Sequence, residues 1–204
     1  MSAPQVVVFD LGKVLVDFDY RIAVERLAAR CDLPAGELNR LINQSPLLLR
    51  YETGLMTTAE FFAAFQAASG YRGDIAEFSR VLPDIFTTID PMITLHAELR
   101  SRGLRTFIFS NTSELAYRHI REHFPFFWLF DGYVLSYEHR CMKPDARLYE
   151  VVEQRTGCRN GDVLYLDDRP ENVEAGAARG WQVLLHETPT QTRARMRELG
   201  LIGG

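Results

Sequence analysis

The stretch that most constrains the fold is a short apolar run, Val6–Phe9, which leads directly into Asp10. Three of its four residues are β-branched valines, and such a run predicts a strand buried on both faces of a parallel sheet. Gly12 follows two residues after the acid. Open α/β sheets bind ligands at the carboxyl ends of their strands, where burial strips water from a carboxylate. Asp10 is therefore a candidate nucleophile or metal ligand; an ordinary strand end before a glycine turn is the alternative.

Beyond Pro91 the apolar pattern alternates between helical and strand periodicity. This alternation predicts a doubly wound, Rossmann-like α/β fold, in which helices cover both faces of a parallel sheet. The further predicted strands are 104–109, 133–135, 163–166 and 181–185, and the predicted helices are 92–100, 114–123, 145–156 and 171–179.

The segment between the first strand and Pro91 has helical patterns throughout. Thr57 and Glu60 have the spacing of a capping box, which predicts a helix start there. A last helix of this segment is predicted over 74–86. Because the segment follows the first strand, we expect it to be an insertion. The expected division is a core of residues 1–15 and 90–204 and a helical cap of residues 16–89.

Composition excludes several classes of function. A net charge of −4 offers no basic surface, so no nucleic-acid partner is expected. Residues 1–5 lack the pattern of a secretory signal, and the aromatic run 124–130 is too short to span a bilayer, so we expect no membrane association. The three scattered cysteines, Cys31, Cys141 and Cys158, form no CxxC pair, so we expect free thiols and a cytoplasmic location. The expected assembly is a monomer or homodimer.

Polar side chains follow three of the predicted strands where each strand ends. They are Asp10, then Ser110 with Asn111, then Asp167 with Asp168. Because parallel strands end at one edge of a sheet, these side chains are expected to converge. Carboxylates beside hydroxyl and amide groups form an oxygen-only cation site next to an oxyanion site, and Mg²⁺ suits such ligands better than Zn²⁺.

The use of lysine singles out two further positions. Of the 23 basic residues only Lys13 and Lys143 are lysine, and the other 21 are arginine. The surviving lysines are candidates for a role that needs a compact ammonium rather than a planar guanidinium, with chance retention as the alternative. Lys143 precedes a helix start and is a candidate to supply positive charge to a phosphate.

Four segments in order, FDLGKVLVDFD, SNT, KPD and LDDRPENVEAG, resemble the motifs of the haloacid dehalogenase superfamily. The resemblance covers nearly the whole chain, and the helical insertion resembles the C1-type cap of that family's subfamily I. It implies a Mg²⁺-dependent phosphatase that hydrolyses a small-molecule phosphate ester through an aspartyl-phosphate intermediate. By this resemblance Asp10 is the nucleophile and a metal ligand, together with Asp168 and the carbonyl of Gly12. Asp167 would support the metal through water.

The remaining roles implied by the resemblance concern the phosphate. Ser110 and Asn111 would bind the phosphoryl oxygens, and Lys143 would neutralise the phosphate and the nucleophile together. Residues 50–54 are a weaker candidate for substrate contact, and a turn that merely links two helices is the alternative. Arg169 is another such candidate, and its alternative is a pairing with the metal-binding carboxylates.

Gly12 departs from the family pattern, which usually has an aspartate there that acts as general acid and then as base. Such catalysis typically contributes ~10²–10⁴-fold, so its loss favours substrates with good leaving groups, such as anomeric sugar, aryl or acyl phosphates. The Asp-Leu-Gly motif most resembles that of bacterial α-D-glucose-1-phosphate phosphatases. Asp17 and Asp19 on the following loop are candidates to approach the site, with a solvated loop as the alternative.

Two other functions fit the same residues. One is a 2-haloacid dehalogenase, whose aspartate attacks carbon; the pair Asp167-Asp168 argues against it, because those enzymes need no metal. The other is a protein that binds phosphate esters or regulates through them with little turnover, having lost its general acid. The retention of Asp10, Lys143 and the pair Asp167-Asp168 argues against that function.

Overall fold

Seven strands form two sheets in the part of the chain that the computed structural model describes, residues 3–203. They are β1 (Val6–Phe9), β2 (Val16–Phe18), β3 (Phe86–Thr88), β4 (Arg105–Ser110), β5 (Gly132–Leu135), β6 (Val163–Asp167) and β7 (Gln182–Leu185). The larger sheet has the order β5-β4-β1-β6-β7, and every neighbouring pair in it is parallel.

Eleven α-helices accompany these strands within residues 3–203. They are α1 (Tyr20–Ala28), α2 (Ala35–Asn43), α3 (Pro46–Glu52), α4 (Thr58–Ser69), α5 (Ile75–Val81), α6 (Asp90–Ser101), α7 (Glu114–His123), α8 (Ser136–His139), α9 (Ala146–Thr156), α10 (Pro170–Ala178) and α11 (Pro189–Glu198). The predicted doubly wound α/β fold is confirmed. None of these helices has the length and apolar character needed to cross a membrane.

β1 lies at the centre of the larger sheet, and all four of its side chains are fully buried. Val7 and Phe9 pack in the apolar core formed with α6 and α11, whereas Val6 and Val8 pack with α9 on the opposite face. A strand covered on both faces has no polar side to alternate with, which explains the unbroken apolar run in the sequence.

The helices α1–α5 form most of a second apolar core, to which α7 contributes Leu115. α4 begins with the predicted capping box, in which the Thr57 hydroxyl accepts from the Glu60 amide and the Glu60 carboxylate accepts from the Thr57 amide at 2.8 Å. The same helix ends at Gly70, whose φ of 67° is the left-handed conformation that glycine adopts readily.

The predicted helix over 74–86 is wrong in its second half. α5 ends at Val81, and Phe86 begins β3, which pairs antiparallel with β2. Strands of three residues are too short to display an alternating pattern, so periodicity could not reveal this ribbon. The ribbon stands where the chain leaves the larger sheet after β1 and returns to it before α6. The position of this ribbon supports the prediction that the helical insertion spans residues 16–89, which stays a prediction.

Candidate active site

The carboxyl ends of β1, β4 and β6 place the predicted site residues along one edge of the sheet. β1 pairs with both other strands, so Asp10, which follows it, lies between Ser110 and Asp167 at their ends. One carboxylate oxygen each of Asp10, Asp167 and Asp168 lies within 4.8 Å of the others. We call these three residues the carboxylate cluster; the convergence expected from parallel strand ends is observed.

Lys143, whose side chain is 1% exposed, bridges two members of this cluster, Asp10 and Asp167. Its Nζ is 2.6 Å from Asp167 Oδ2 and 3.0 Å from Asp10 Oδ1, and it donates a third bond of 2.9 Å to the carbonyl oxygen of Phe109. An ammonium has three donors and no acceptor, so these three oxygens satisfy it. Of the two lysines, Lys143 is the one that reaches the cluster.

Asn111 fixes the backbone of Lys143. Its Oδ1 accepts from the Lys143 amide at 2.7 Å, and its Nδ2 donates to the Lys143 carbonyl at 3.1 Å. The Asn111 side chain, to which the family resemblance assigns phosphate binding, thus bonds the backbone of the loop that carries Lys143. One of its two Nδ2 hydrogens takes no part in these bonds. Ser110 is buried at the end of β4, and its hydroxyl lies 3.3 Å from the Asn111 carbonyl. Phosphate binding by either residue stays a prediction.

Asp167 is fully buried and accepts from three donors besides Lys143. The Arg169 amide and the Asn172 side-chain amide donate to its Oδ1 at 2.8 and 3.0 Å, and the Tyr165 hydroxyl donates to Oδ2. Sequence reasoning missed Tyr165 and Asn172. Two signals existed: Tyr165 stands two residues before Asp167 on a strand and so shares its face, and Asn172 lies within LDDRPENVEAG.

The electrostatics of the cluster leave an excess of negative charge. Burial raises the pKa of Asp10 to about 7, against the opposing charge of Lys143. Burial alone would lower the pKa of Lys143, but Asp10 and Asp167 outweigh it and raise that pKa. Burial would raise the pKa of Asp167, yet Lys143 holds it below its ordinary value. Burial and Asp167 raise the pKa of Asp168. Three carboxylates facing one ammonium form an oxygen-only donor set that fits a hard cation such as Mg²⁺.

A cavity of about 290 Å³, here the main pocket, opens over the cluster. It is lined from the core by Asp10, Gly12, Lys13, Asn111, Met142, Lys143, Asp168, Arg169 and Asn172, and from the ribbon and helices by Phe18, Tyr20, Asn43, Leu48 and Glu52. A cavity of about 60 Å³, the inner pocket, shares five of these residues, namely Gly12, Phe18, Tyr20, Glu52 and Asn111. A larger cavity of about 650 Å³ between α5 and α7 contains no residue of the cluster.

The two acids that follow Gly12, Asp17 on β2 and Asp19 at the start of α1, do not line the main pocket. Asp17 pairs with Lys13, whose Nζ also donates to the Phe18 carbonyl at 3.1 Å. Asp19 caps α1 by accepting from the Arg21 amide at 2.9 Å. Neither carboxylate lines a pocket with Asp10, so the solvated-loop alternative describes both.

A model of the haloacid dehalogenase-like hydrolases matches residues 4–180. The chain belongs to this family. The prediction of such a hydrolase from four ordered motifs is therefore confirmed, and the carboxylate cluster lies where those motifs meet. Its three acids come from the first and fourth motif segments, and Lys143, which pairs with two of them, comes from the third.

Three known proteins illustrate the similarity of this haloacid dehalogenase-like hydrolase. The sesquiterpene phosphatase astK of Aspergillus oryzae is 27% identical over 94% of each chain. The HAD family enzyme bt-2542 of Bacteroides thetaiotaomicron, solved with magnesium and inorganic phosphate, matches at a TM-score of 0.78 and 20% identity, covering 90% of this chain and 94% of that one. The L-2-haloacid dehalogenase of Xanthobacter autotrophicus matches at a TM-score of 0.66 and 19% identity, covering 98% and 85%. The two structures share the fold with this hydrolase.

Proposed function

We propose that this hydrolase is a Mg²⁺-dependent phosphomonoesterase that acts on a small phosphorylated metabolite through an aspartyl-phosphate on Asp10. The observation that carries the proposal is the bridge formed by Lys143 between Asp10 and Asp167 beneath the main pocket. A buried ammonium against a strand-end carboxylate suits the transfer of a phosphoryl group, which brings its own negative charge into the site.

Metal binding in this proposal rests on the carboxylate cluster. Asp10, Asp168 and the Gly12 carbonyl would hold Mg²⁺. Asp167 would act through water, because its two oxygens already accept four hydrogen bonds. Mg²⁺, when bound, would offset negative charge on the phosphoryl oxygens during transfer.

The protein's own groups prepare Asp10 for attack on phosphorus. Its Oδ1 accepts from the Leu11 amide at 2.7 Å and lies 3.0 Å from Lys143 Nζ, so the carboxylate is held in one orientation. A fixed nucleophile loses little further freedom when it reacts. Lys143 neutralises the nucleophile and the phosphoryl oxygens together, and Ser110 and Asn111 would bind those oxygens at the end of β4.

The volume of the main pocket supports a small ester as substrate. A volume of about 290 Å³ accommodates a phosphate with a sugar-sized group, and we propose a sugar 1-phosphate such as α-D-glucose 1-phosphate as one candidate. Residues 16–89 would act as a C1-type cap over it. Similarity to a sesquiterpene phosphatase places apolar phosphate esters among the substrates to be tried. A cytoplasmic monomer or homodimer remains part of the proposal.

The dehalogenase alternative uses the same nucleophile on the same fold. It leaves Asp168, beside Asp10 and Asp167, without a chemical role, because attack on carbon needs no metal. The cluster of three carboxylates therefore favours the phosphatase.

A single screen tests the proposal against this alternative. The purified protein is assayed for phosphate release from a panel of sugar, alkyl, aryl and terpenyl phosphates, with Mg²⁺ and with excess chelator. In parallel it is assayed for halide release from 2-haloacids. We expect phosphate release that requires Mg²⁺ and no halide release. Halide release, or the absence of phosphate release from every ester, would contradict the proposal.

A further inference from the structure

The proposed phosphatase lacks a proton donor at the position where its family usually has one. Gly12 has no side chain. Asp17 on β2 pairs with Lys13, and Asp19 caps the start of α1. The leaving oxygen of an alkyl phosphate needs a proton as its bond to phosphorus breaks. The proton must therefore come from another group that lines the two pockets.

Glu52, the last residue of α3, lines both pockets together with Gly12, Phe18 and Tyr20. Its carboxyl forms no hydrogen bond or ion pair with any other residue in the range 3–203, although the side chain is half-buried. A buried carboxyl is usually paired with a cation or a donor, so an unpaired one beside a reactive site is unusual. Burial raises the pKa of Glu52 to about 7, so its proton is retained near neutrality.

The other ionisable groups that line the two pockets have other partners or a high pKa. Asp10 and Asp168 belong to the carboxylate cluster, and Lys143 pairs with Asp10. Lys13 pairs with Asp17, and Arg169 pairs with Glu171. Burial raises the pKa of the Tyr20 phenol above its ordinary value, which makes it a poor acid. Among the residues that line the two pockets, Glu52 is the remaining carboxyl.

The position of Glu52 is fixed by contacts between the helical segment and the core. Its carbonyl accepts from the Ser136 hydroxyl at 2.6 Å, and Ser136 in turn accepts from the Thr112 amide at 2.9 Å, just beyond β4. On the preceding residue, the Tyr51 hydroxyl accepts from the Leu115 amide at 3.1 Å. The end of α3 is thereby held against the segments that follow β4 and β5, and β4 is a direct neighbour of β1 in the sheet. A proton donor needs such a fixed position.

We propose that Glu52 is the general acid and then the general base of this hydrolase, in place of an aspartate at position 12. This inference rests on the proposed phosphatase function. In the first step an Asp10 oxygen bonds to phosphorus, the bond from phosphorus to the ester oxygen breaks, and the Glu52 carboxyl gives its proton to that oxygen, releasing the alcohol. In the second step water bonds to phosphorus, Glu52 takes a proton from that water, and the bond between phosphorus and Asp10 breaks. Phosphate leaves, and both side chains return to their starting forms.

The assignment changes the expected range of substrates. Without a proton donor, esters of poorly acidic alcohols would be hydrolysed slowly, as the glycine at position 12 suggests. With Glu52 as the donor, alkyl phosphates become accessible to this enzyme, and the rate of the unmodified protein depends only weakly on the acidity of the leaving group.

The test compares kcat/KM for a series of aryl and alkyl phosphates in the unmodified protein and in Glu52→Gln, with Mg²⁺ present. The ratio kcat/KM reports the phosphorylation step, in which Glu52 acts as the acid. We expect Glu52→Gln to lower kcat/KM for alkyl phosphates by ~10²–10⁴-fold and for 4-nitrophenyl phosphate far less, because nitrophenolate leaves without a proton. Glu52→Asp, which keeps the carboxyl, should retain part of the alkyl phosphate activity.

Glu37→Gln is the matched control, since Glu37 is an exposed acid on α2 that lines neither pocket. It should leave both kinds of substrate unchanged. An equal loss on all substrates in Glu52→Gln, or no loss, would overturn the assignment while leaving the phosphatase function intact. Unfolding of both Glu52 variants, measured by thermal denaturation, would show a structural role and overturn it as well. An inactive unmodified protein would instead contradict the proposed function itself.

Discussion

The ring of Phe18 occupies the space that a side chain on Gly12 would need: a Cβ there would lie 3.0 Å from Phe18 Cε1. An aspartate at position 12 would therefore crowd the packing between β2 and the loop that follows β1. We expect Gly12→Asp to lower the free energy of unfolding by about 1–3 kcal/mol through overpacking. Urea denaturation measures the loss, and adding Phe18→Ala should recover part of it. A single variant as stable as the unmodified protein would mean that the ring moves aside freely.

Asp10→Asn is expected to abolish turnover and leave the fold intact. The amide has the shape of the carboxylate but is a poor nucleophile, and Lys143 keeps its partner Asp167. Phosphate release and circular dichroism measure the two effects. Asp17→Asn, at an exposed acid outside the pockets, is the control and should retain full activity. Turnover within a few-fold of normal in Asp10→Asn would exclude an aspartyl-phosphate on this residue.

Lys143→Arg is expected to impair activity even though the chain elsewhere uses arginine. The Nζ lies between Asp10 and Asp167, and a planar guanidinium is too wide to keep both contacts and the bond to the Phe109 carbonyl. Lys143→Met should destabilise the fold by about 3–5 kcal/mol, because it leaves two buried carboxylates without a cation. Initial rates and thermal denaturation measure these effects. Normal rates in Lys143→Arg would mean that a compact ammonium is not required.

Mg²⁺ is expected to stabilise the unmodified protein but not Asp168→Ala. A ligand that binds the folded state alone at 100 times its Kd contributes about 2.7 kcal/mol to stability. Removing Asp168 takes away the least buried carboxylate of the cluster, the one best placed to bind an ion from solvent. Thermal denaturation with increasing Mg²⁺ gives the comparison, and Ca²⁺ serves as a second ion. An equal shift in both proteins would remove Asp168 from the metal site.

The pKa of Glu52 predicts how stability changes with pH. In the folded protein burial raises this pKa from 4.5 to about 7, so between these values the unfolded state binds fewer protons and stability falls as pH rises. The effect amounts to at most about 3 kcal/mol above pH 7. Glu52→Gln should therefore be more stable than the unmodified protein at pH 8 and similar at pH 4. Urea denaturation of both proteins without Mg²⁺ measures this difference, and equal pH profiles would contradict it.

Much of the fold is determined by local sequence. An unbroken run of apolar residues rich in valine, such as Val6–Phe9, favours a strand buried on both faces of a sheet. The capping box at Thr57 depends on residues three positions apart. The convergence of Asp10 with Asp167 also follows from the sequence, because parallel strands end at a common edge. These features depend on hydrophobic periodicity and on strand direction, both of which can be inferred from the amino-acid sequence alone.

Only the tertiary structure decides which groups bond to one another within the site. Asn111 bonds the backbone of Lys143, and the Glu52 carbonyl accepts from Ser136, 84 residues away along the chain. Phe18 meets Gly12 because a three-residue strand, invisible to periodicity, folds back over the loop. Such contacts depend on how separately formed elements pack against each other. Neither residue type nor spacing encodes that packing locally, so an acid at the end of α3 could be placed beside Gly12 only in three dimensions.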